Sequence, residues 1–359
     1  MGRALAHPMH ETGLMDARSS PSLALVLGGG AARGLAHIGV LEVLEREGIQ
    51  AACVVGSSMG GLIAALHAAG ADARELRAIA RTFRFPRWFV PGAIVDWQSI
   101  FSGAARLLGE RTFEGMARPL FVTATDLETG EPVLLEHGQV LPAVRATCAV
   151  PGVLLPERIE GRWLVDGGLV NLVPVDVAWA MDPDVVVAVR AGGYRARKLP
   201  QLDSPLTPFL ARLGSAIPNP ATAKMSFEIL VRAAEIALDR ATSLAAAMSG
   251  PEVLVEPDVK DIGLRDFHRL DDAIAAGRLA AERALPRIRA QLDGFGQAPR
   301  PSLGAAASPR LIDPVCKMMV SPARARARVQ RDGRDYYFCS ENCRDCFERD
   351  PRRYLQAAG

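Results

Sequence analysis

Apolar and polar positions alternate between two periods along most of this chain. Residues 22–27 read as an apolar strand, and residues 49–55 as a second. Between them, Leu35, Ile38, Leu41, Val43 and Leu44 repeat at helical spacing over residues 35–47. Leu62, Ile63, Leu66 and Ala69 do the same over 59–69. Strand, glycine loop, helix, strand and helix in that order predict the start of a parallel α/β sheet with helices on its faces. Further on, the pattern predicts helices at 72–84, 141–149, 176–180, 224–248 and 270–292. Strands are predicted at 119–125, 132–135, 160–165, 185–189 and 252–256. Residues 191–222 are rich in proline and lack either period, so they read as a lid or irregular rim.

Composition divides the chain. At 359 residues it is long for one small domain, and 49% hydrophobic with 23% charged residues suffices for a full core. Residues 1–21 form a loose tail, 22–292 the main domain, 293–309 a Gly/Pro/Ala/Ser linker and 310–357 a small appended module. The net charge of +2 offers no basic footprint for a nucleic acid. No signal-peptide core and no run of ~18 apolar residues is present, which predicts a soluble, cytoplasmic protein. The six cysteines are unevenly spread: Cys53 and Cys148 sit in apolar segments, whereas Cys316, Cys339, Cys343 and Cys346 crowd the last fifth. That clustering points to a metal site rather than to a secreted disulfide scaffold.

The candidate chemistry lies at Gly56-Ser57-Ser58-Met59-Gly60, where a strand turns directly into a helix. Ser58 occupies the apex, and Gly56 and Gly60 remove the β-carbons that would collide in so tight a corner. Its hydroxyl stands at a helix N-terminus, where free N–H groups favour the negative charge of acyl transfer. The loop Gly28-Gly29-Gly30-Ala31-Ala32-Arg33-Gly34 admits three readings. A dinucleotide fingerprint needs glycine at Arg33 and an acidic residue ending the second strand, and both are missing. A phosphate-binding P-loop needs Gly-Lys-Ser/Thr, which is also missing. An oxyanion loop needs small residues whose backbone N–H groups share one concavity beside Ser58, and this reading stands.

Residues 28–41 together with Gly56-Ser57-Ser58-Met59-Gly60 resemble the patatin-like phospholipases, in particular their bacterial single-domain members. Arg145-Ala-Thr-Cys-Ala-Val-Pro-Gly152 is similar as well, with Thr147 where the family usually has serine. The resemblance covers roughly residues 22–290. It implies a three-layer α/β/α hydrolase and assigns Asp166, followed by Gly167 and Gly168, as the partner of Ser58. By itself Asp-Gly-Gly reads as a turn. The implied enzyme is a serine carboxylic-ester hydrolase (phospholipase A, lysophospholipase or esterase), with Ser58 as nucleophile, Asp166 as base and Gly29, Gly30 and Ala31 as oxyanion donors. Arg33 orients the loop or attracts a phosphate, and no cofactor is needed. A Ser58–Asp166–His268 triad is the rival arrangement, opposed by the early position of the elbow. His37 reads as a structural histidine. Trp88 and Phe89 read either as a lipid-facing rim with peripheral membrane contact or as aromatics folded into the core.

The end of the chain, Asp313-Pro-Val-Cys316 with Tyr336-Tyr-Phe-Cys339-Ser-Glu-Asn-Cys343, resembles the YHS domain. Cys316, Cys339 and Cys343 suit Zn²⁺ or another soft or borderline cation, with Cys346, Asp313 or water as fourth ligand. A metal-free module with buried thiols is the alternative. The module would regulate, tether or sense through a protein partner. In a second reading of the whole chain, it is a metal-responsive interaction protein with a vestigial hydrolase site.

Overall fold

The computed structural model describes residues 21–84, 96–192, 229, 232–233, 236–240, 242, 250–294, 311–322 and 325–355. The N-terminal tail, the aromatic rim at 85–92, nearly all of 191–222, most of the 224–248 helix and nearly all of the linker lie outside these residues. So does Arg324.

Eight strands make one sheet: β1 (Leu23–Leu27), β2 (Cys53–Ser57), β3 (Leu120–Asp126), β4 (Pro132–Leu135), β5 (Glu157–Ile159), β6 (Arg162–Asp166), β7 (Val185–Val189) and β8 (Val253–Val255). Their order is β5-β6-β3-β2-β1-β7-β8, with β4 also paired to β3. In this order the five strands β3, β2, β1, β7 and β8 run parallel; β4 and β6 pair antiparallel with β3, and β5 pairs antiparallel with β6. All five residues of β1, β2 and β7 are buried. Strands covered on both faces carry apolar residues at every position, which is why they appear in the sequence as unbroken runs.

The described helices of this domain are α1 (Ala36–Arg46), α2 (Met59–Ala68), α3 (Ala73–Ala80), α4 (Trp97–Leu108), α5 (Val140–Thr147), α6 (Val175–Ala180) and α7 (Leu270–Asp293). Leu23, Leu25 and Leu27 of β1 share one core with Leu41 of α1, Leu62 of α2 and Ile274 of α7. Ala24 and Val26 point the other way and pack with Val177 and Ala178 of α6. The period-2 alternation of the strand thus separates two cores in a three-layer α/β/α arrangement.

Two elements escape the sequence pattern. Helix α4 is announced only by Asp96, whose carboxylate accepts the Ser99 N–H at 2.8 Å as an N-cap. Its backbone leaves helical geometry at Phe101, which blurs the period. Strand β5 has three residues, too few to show alternation.

The appended module has two hairpins, β9 (Leu311–Ile312) with β10 (Met319–Val320) and β11 (Ala327–Arg331) with β12 (Arg334–Phe338). Helices α8 (Glu341–Arg349) and α9 (Pro351–Leu355) follow. Phe338, Cys343 and Phe347 form its buried centre, with the two phenylalanine rings 5.3 Å apart. So small a core leaves the module short of apolar burial. Strand β10 lies on α6 of the main domain, where the Met319 N–H donates to Asp176 Oδ2 at 3.0 Å. Lys317 Nζ also stands 3.2 Å from Glu131 Oε1.

Candidate active site

Ser58 sits where β2 gives way to α2, at φ 52° and ψ −128°. A non-glycine residue held there costs ~1–3 kcal/mol, so the surroundings must impose it. The elbow glycines explain how. A β-carbon on Gly56 would lie 2.6 Å from Gly61 Cα, and one on Gly60 would run into the Leu27 carbonyl. Thr147 at the end of α5 holds the apex from the side. Its Oγ1 donates to Thr123 O at 2.6 Å and accepts the Ser58 N–H at 2.7 Å. The Cys148 thiol donates to Ser58 O at 3.3 Å. Residues 145–152 therefore pack on the elbow through two side chains that bind the backbone of one residue.

The Ser58 hydroxyl donates to Asp166 Oδ2 at 2.6 Å. Asp166 ends β6, and its other oxygen accepts the Gly168 N–H at 2.7 Å. A β-carbon on Gly167 would strike the Thr123 carbonyl, so the turn after Asp166 can lie this close to β3 only with glycine there. Burial raises the Asp166 carboxyl to about 6, against the lowering effect of the Ser58 and Gly168 bonds. A carboxylate of that affinity is a far better proton acceptor than an exposed aspartate and is still ionised at pH 7–8. Among the described residues no histidine ring hydrogen-bonds Ser58 or Asp166, His268 included.

The glycine loop lies over Ser58: a β-carbon on Gly29 would be 3.1 Å from Ser58 Cβ. One expectation changes here. The Gly29 N–H is committed to Leu172 O at 2.9 Å, because the chain leaving the Asp166 turn passes directly beneath it. The Gly30 and Ala31 N–H groups have no partner among the described residues. Ala31 keeps a positive φ of 48° without being glycine. Arg33 is turned inward: it is 4% exposed, and its Nε donates to Ile262 O at 2.7 Å. That contact ties the loop down from below, and so does the Ala32 N–H on Leu264 O at 3.1 Å. Fully buried His37 contributes too, with Nε2 2.7 Å from Gly28 O. Burial lowers its pKa to about 4, so the ring is neutral and donates.

Leu172 is the residue that sequence reasoning missed. Its carbonyl takes the Gly29 N–H, and its side chain fills the space that β-carbons on Gly29 and Gly168 would need, 2.5 and 2.7 Å from Cδ1. One apolar residue among Leu169, Val170, Leu172 and Val173 carries no sequence signal for that role.

In the module, one ligand atom each from Asp313, Cys316, Cys339 and Cys343 fall within 4.8 Å of one another. Cys316 and Cys339 Sγ are 3.4 Å apart, and Cys339 and Cys343 Sγ 3.7 Å. A tetrahedral zinc with Zn–S bonds of ~2.3 Å has sulfur–sulfur edges of ~3.8 Å, so the donor set fits such a cation. Cys346 stands outside this group, its Sγ 3.2 Å from an Arg349 nitrogen. The Asp313 carboxylate accepts the N–H groups of Val315 at 2.9 Å, Cys316 at 3.4 Å and Cys339 at 2.9 Å, and so joins the two cysteine-bearing segments. All six cysteines are free thiols.

Comparison with known proteins places these sites in families. Residues 25–179 match the patatin-like phospholipases and residues 311–358 the YHS domain. An NTE family protein of Mycobacterium tuberculosis is 33% identical over 294 residues, 78% of this chain and 49% of that protein. A second one, from Mycobacterium bovis, is 35% identical over 186 residues, 50% of this chain and 51% of that protein. Patatin-like phospholipase domain-containing protein 6 of Mus musculus is 33% identical over 183 residues, 48% of this chain and 14% of that protein. The chain spans about half the length of the mycobacterial relatives. The strained elbow, the glycine loop and the cysteine cluster thus fall within matched segments, and the chain carries a domain of the patatin-like phospholipase family with the patatin fold, followed by a YHS domain.

Proposed function

We propose that the main domain is a serine hydrolase of lipid carboxylic esters. The observation that carries this reading is the 2.6 Å bond from Ser58 Oγ to Asp166 Oδ2, made at a strained elbow beneath two amides that have no partner among the described residues. In the proposed cycle Ser58 Oγ attacks the ester carbonyl carbon while Asp166 takes its proton. The Gly30 and Ala31 N–H groups, at the N-terminus of the turn that leads into α1, donate to the developing oxyanion. Asp166 then gives the proton to the leaving alcohol or lysolipid, which leaves an acyl-Ser58 ester. A water molecule attacks that ester with Asp166 as base, and the proton returns to Ser58 as the fatty acid departs.

The surroundings support a greasy substrate. Asp166 is opposite Ala124 in the β3–β6 ladder, so Trp163 and Leu127 extend three residues, ~10 Å, beyond the dyad. Trp163 is 42% exposed and Leu127 54%, and Leu169 and Val170 directly after the Asp166 turn are exposed as well. The Arg158 guanidinium covers the Trp163 ring at 5.5 Å. Exposed apolar residues gathered at the open end of a sheet suit acyl chains or a lipid surface. No described helix is long and apolar enough to cross a membrane.

Cys316, Cys339, Cys343 and Asp313 would hold a zinc-like cation in the YHS domain. There it would cross-link two short hairpins and a helix that bury little, and it takes no part in ester hydrolysis. The test is fatty-acid release from phospholipid, lysophospholipid and short-chain esters by the wild type and by Ser58→Ala. Equal release by both proteins would overturn the reading.

A further inference from the structure

The cysteine cluster and the dyad lie in different domains, yet a short chain of hydrogen bonds joins them. It begins in the turn 313–318, where the Lys317 N–H donates to Asp313 O and the Asp313 N–H to Met318 O, both at 2.9 Å. Cys316 is inside that turn, and Lys317 closes it at φ 63°. The next amide, Met319 N–H, crosses to the main domain and donates to Asp176 Oδ2 at 3.0 Å. The other oxygen of Asp176 accepts Asn171 Nδ2 at 2.7 Å. Asn171 closes the Asp166 turn, its N–H donating to Gly167 O at 2.9 Å. Leu172, the next residue, holds Gly29 through its carbonyl and covers Gly29 and Gly168 with its side chain.

Asp176 is the unusual member. It is 6% exposed, and its carboxylate spans two domains with no cation among these partners: Asn171 on one oxygen, Met319 on the other, and backbone amides of its own helix. A buried carboxylate is costly unless every acceptor site is used. Here one of the bonds that satisfy it comes from the other domain, so the position of β10 fixes the position of this side chain. The Lys317–Glu131 pair nearby is half exposed and adds little to the docking.

We propose that Asp176 is a positioning residue that links the cation site of the YHS domain to the loop carrying Asp166. This rests on the hydrolase reading given above. A cation on Cys316 fixes the turn 313–318 and hence the Met319 amide. That amide holds Asp176 in the orientation that keeps Asn171 and Leu172 against the glycine loop. Without the cation the turn loosens, the strut slackens and the Gly29–Leu172 and Asp166–Gly168 contacts become intermittent. Linkage is reciprocal, so a Ser58 adduct that orders the same loop tightens cation binding.

The test uses the full chain with zinc alone as the probe. Zinc binding is followed by competition with a chromophoric chelator, and amide hydrogen exchange is followed over residues 167–173. Zinc should bind with one equivalent and slow exchange in this segment by about tenfold in the wild type. Asp176→Asn should still bind one equivalent of zinc yet lose the slowing. Asn171→Ala removes the next link without placing a new group in the buried carboxylate site, and should behave alike. Failure of the wild type to bind zinc, unchanged exchange on binding, or an undiminished zinc response in both variants would each overturn the proposal. Reaction of Ser58 with a fluorophosphonate, read by intact mass, separates the two ideas. Labelling in neither state with the exchange effect intact removes the hydrolase reading and leaves the link standing. Labelling with no zinc effect on exchange does the reverse.

Discussion

Asp166 and Asp313 are both buried carboxylates at turns, 6% and 0% exposed, and they differ in what the backbone leaves open. Asp166 receives a backbone N–H on one oxygen only, and its second oxygen meets the Ser58 hydroxyl. Asp313 receives three backbone N–H groups shared over both oxygens. The first is a half-satisfied acid with one oxygen directed at a reactive group. The second is a brace whose first task is to bring Cys316 and Cys339 together. The chemistry of a buried aspartate is thus read from its unclaimed lone pairs, and burial alone does not distinguish the two.

The sharpest way to break this comparison is to remove the reactive side. Ser58→Ala and Asp166→Asn should each lower ester hydrolysis by at least ~10³-fold, measured as fatty-acid release. On the bracing side, Asp313→Ala orphans three amides at once. It should weaken zinc binding by ~10–100-fold in chelator competition.

The reactive carboxylate should also titrate. Only ionised Asp166 accepts a proton and its pKa is raised to about 6, so kcat/KM should fall by ~10-fold from pH 7 to pH 5 and level off above pH 7. Stability runs the opposite way. The folded value lies above the unfolded carboxyl value of ~3.9, so the group's contribution is full below that pH and is lost as pH rises through about 6. Asp166→Asn should therefore melt above the wild type at pH 7.5, with the gap closing towards pH 4 in thermal scans.

Thr147→Val removes the oxygen that holds the Ser58 amide while keeping the shape, and should cost ~10-fold in kcat with KM little changed. The smallest effect is expected at His268. His268→Ala should stay within ~2-fold of the wild type in the same assay, whereas a large loss would revive the triad.

Much of the site was legible because it is written in local chemistry. The Gly56–Gly60 pattern and the apolar run before it mark an elbow, since only glycine fits beside the Gly61 backbone and the Leu27 carbonyl. The role of Asp166 came from resemblance, as Asp-Gly-Gly looks like any turn until β6 sets it against β3. What escaped was non-local. Nothing near Gly29 reveals that its N–H is claimed by Leu172, and nothing near Asp176, which reads as the start of a helix, reveals that it faces another domain. Arg33 reads in the sequence as orienting the loop or attracting a phosphate, and nothing near it reveals that it lies buried on a carbonyl far along the chain.

That last contact bears on the order in which the protein is made. Arg33 and Ile262 are 229 residues apart, roughly 10–50 s of synthesis. A growing chain can bring Ser58 to Asp166 soon after β6 emerges, while the loop above them still waits for its lower anchor. In the proposed hydrolase the nascent chain would hold its nucleophile before it holds a seat for the oxyanion, and ester cleavage would be deferred until the 262–264 segment is synthesised and in place.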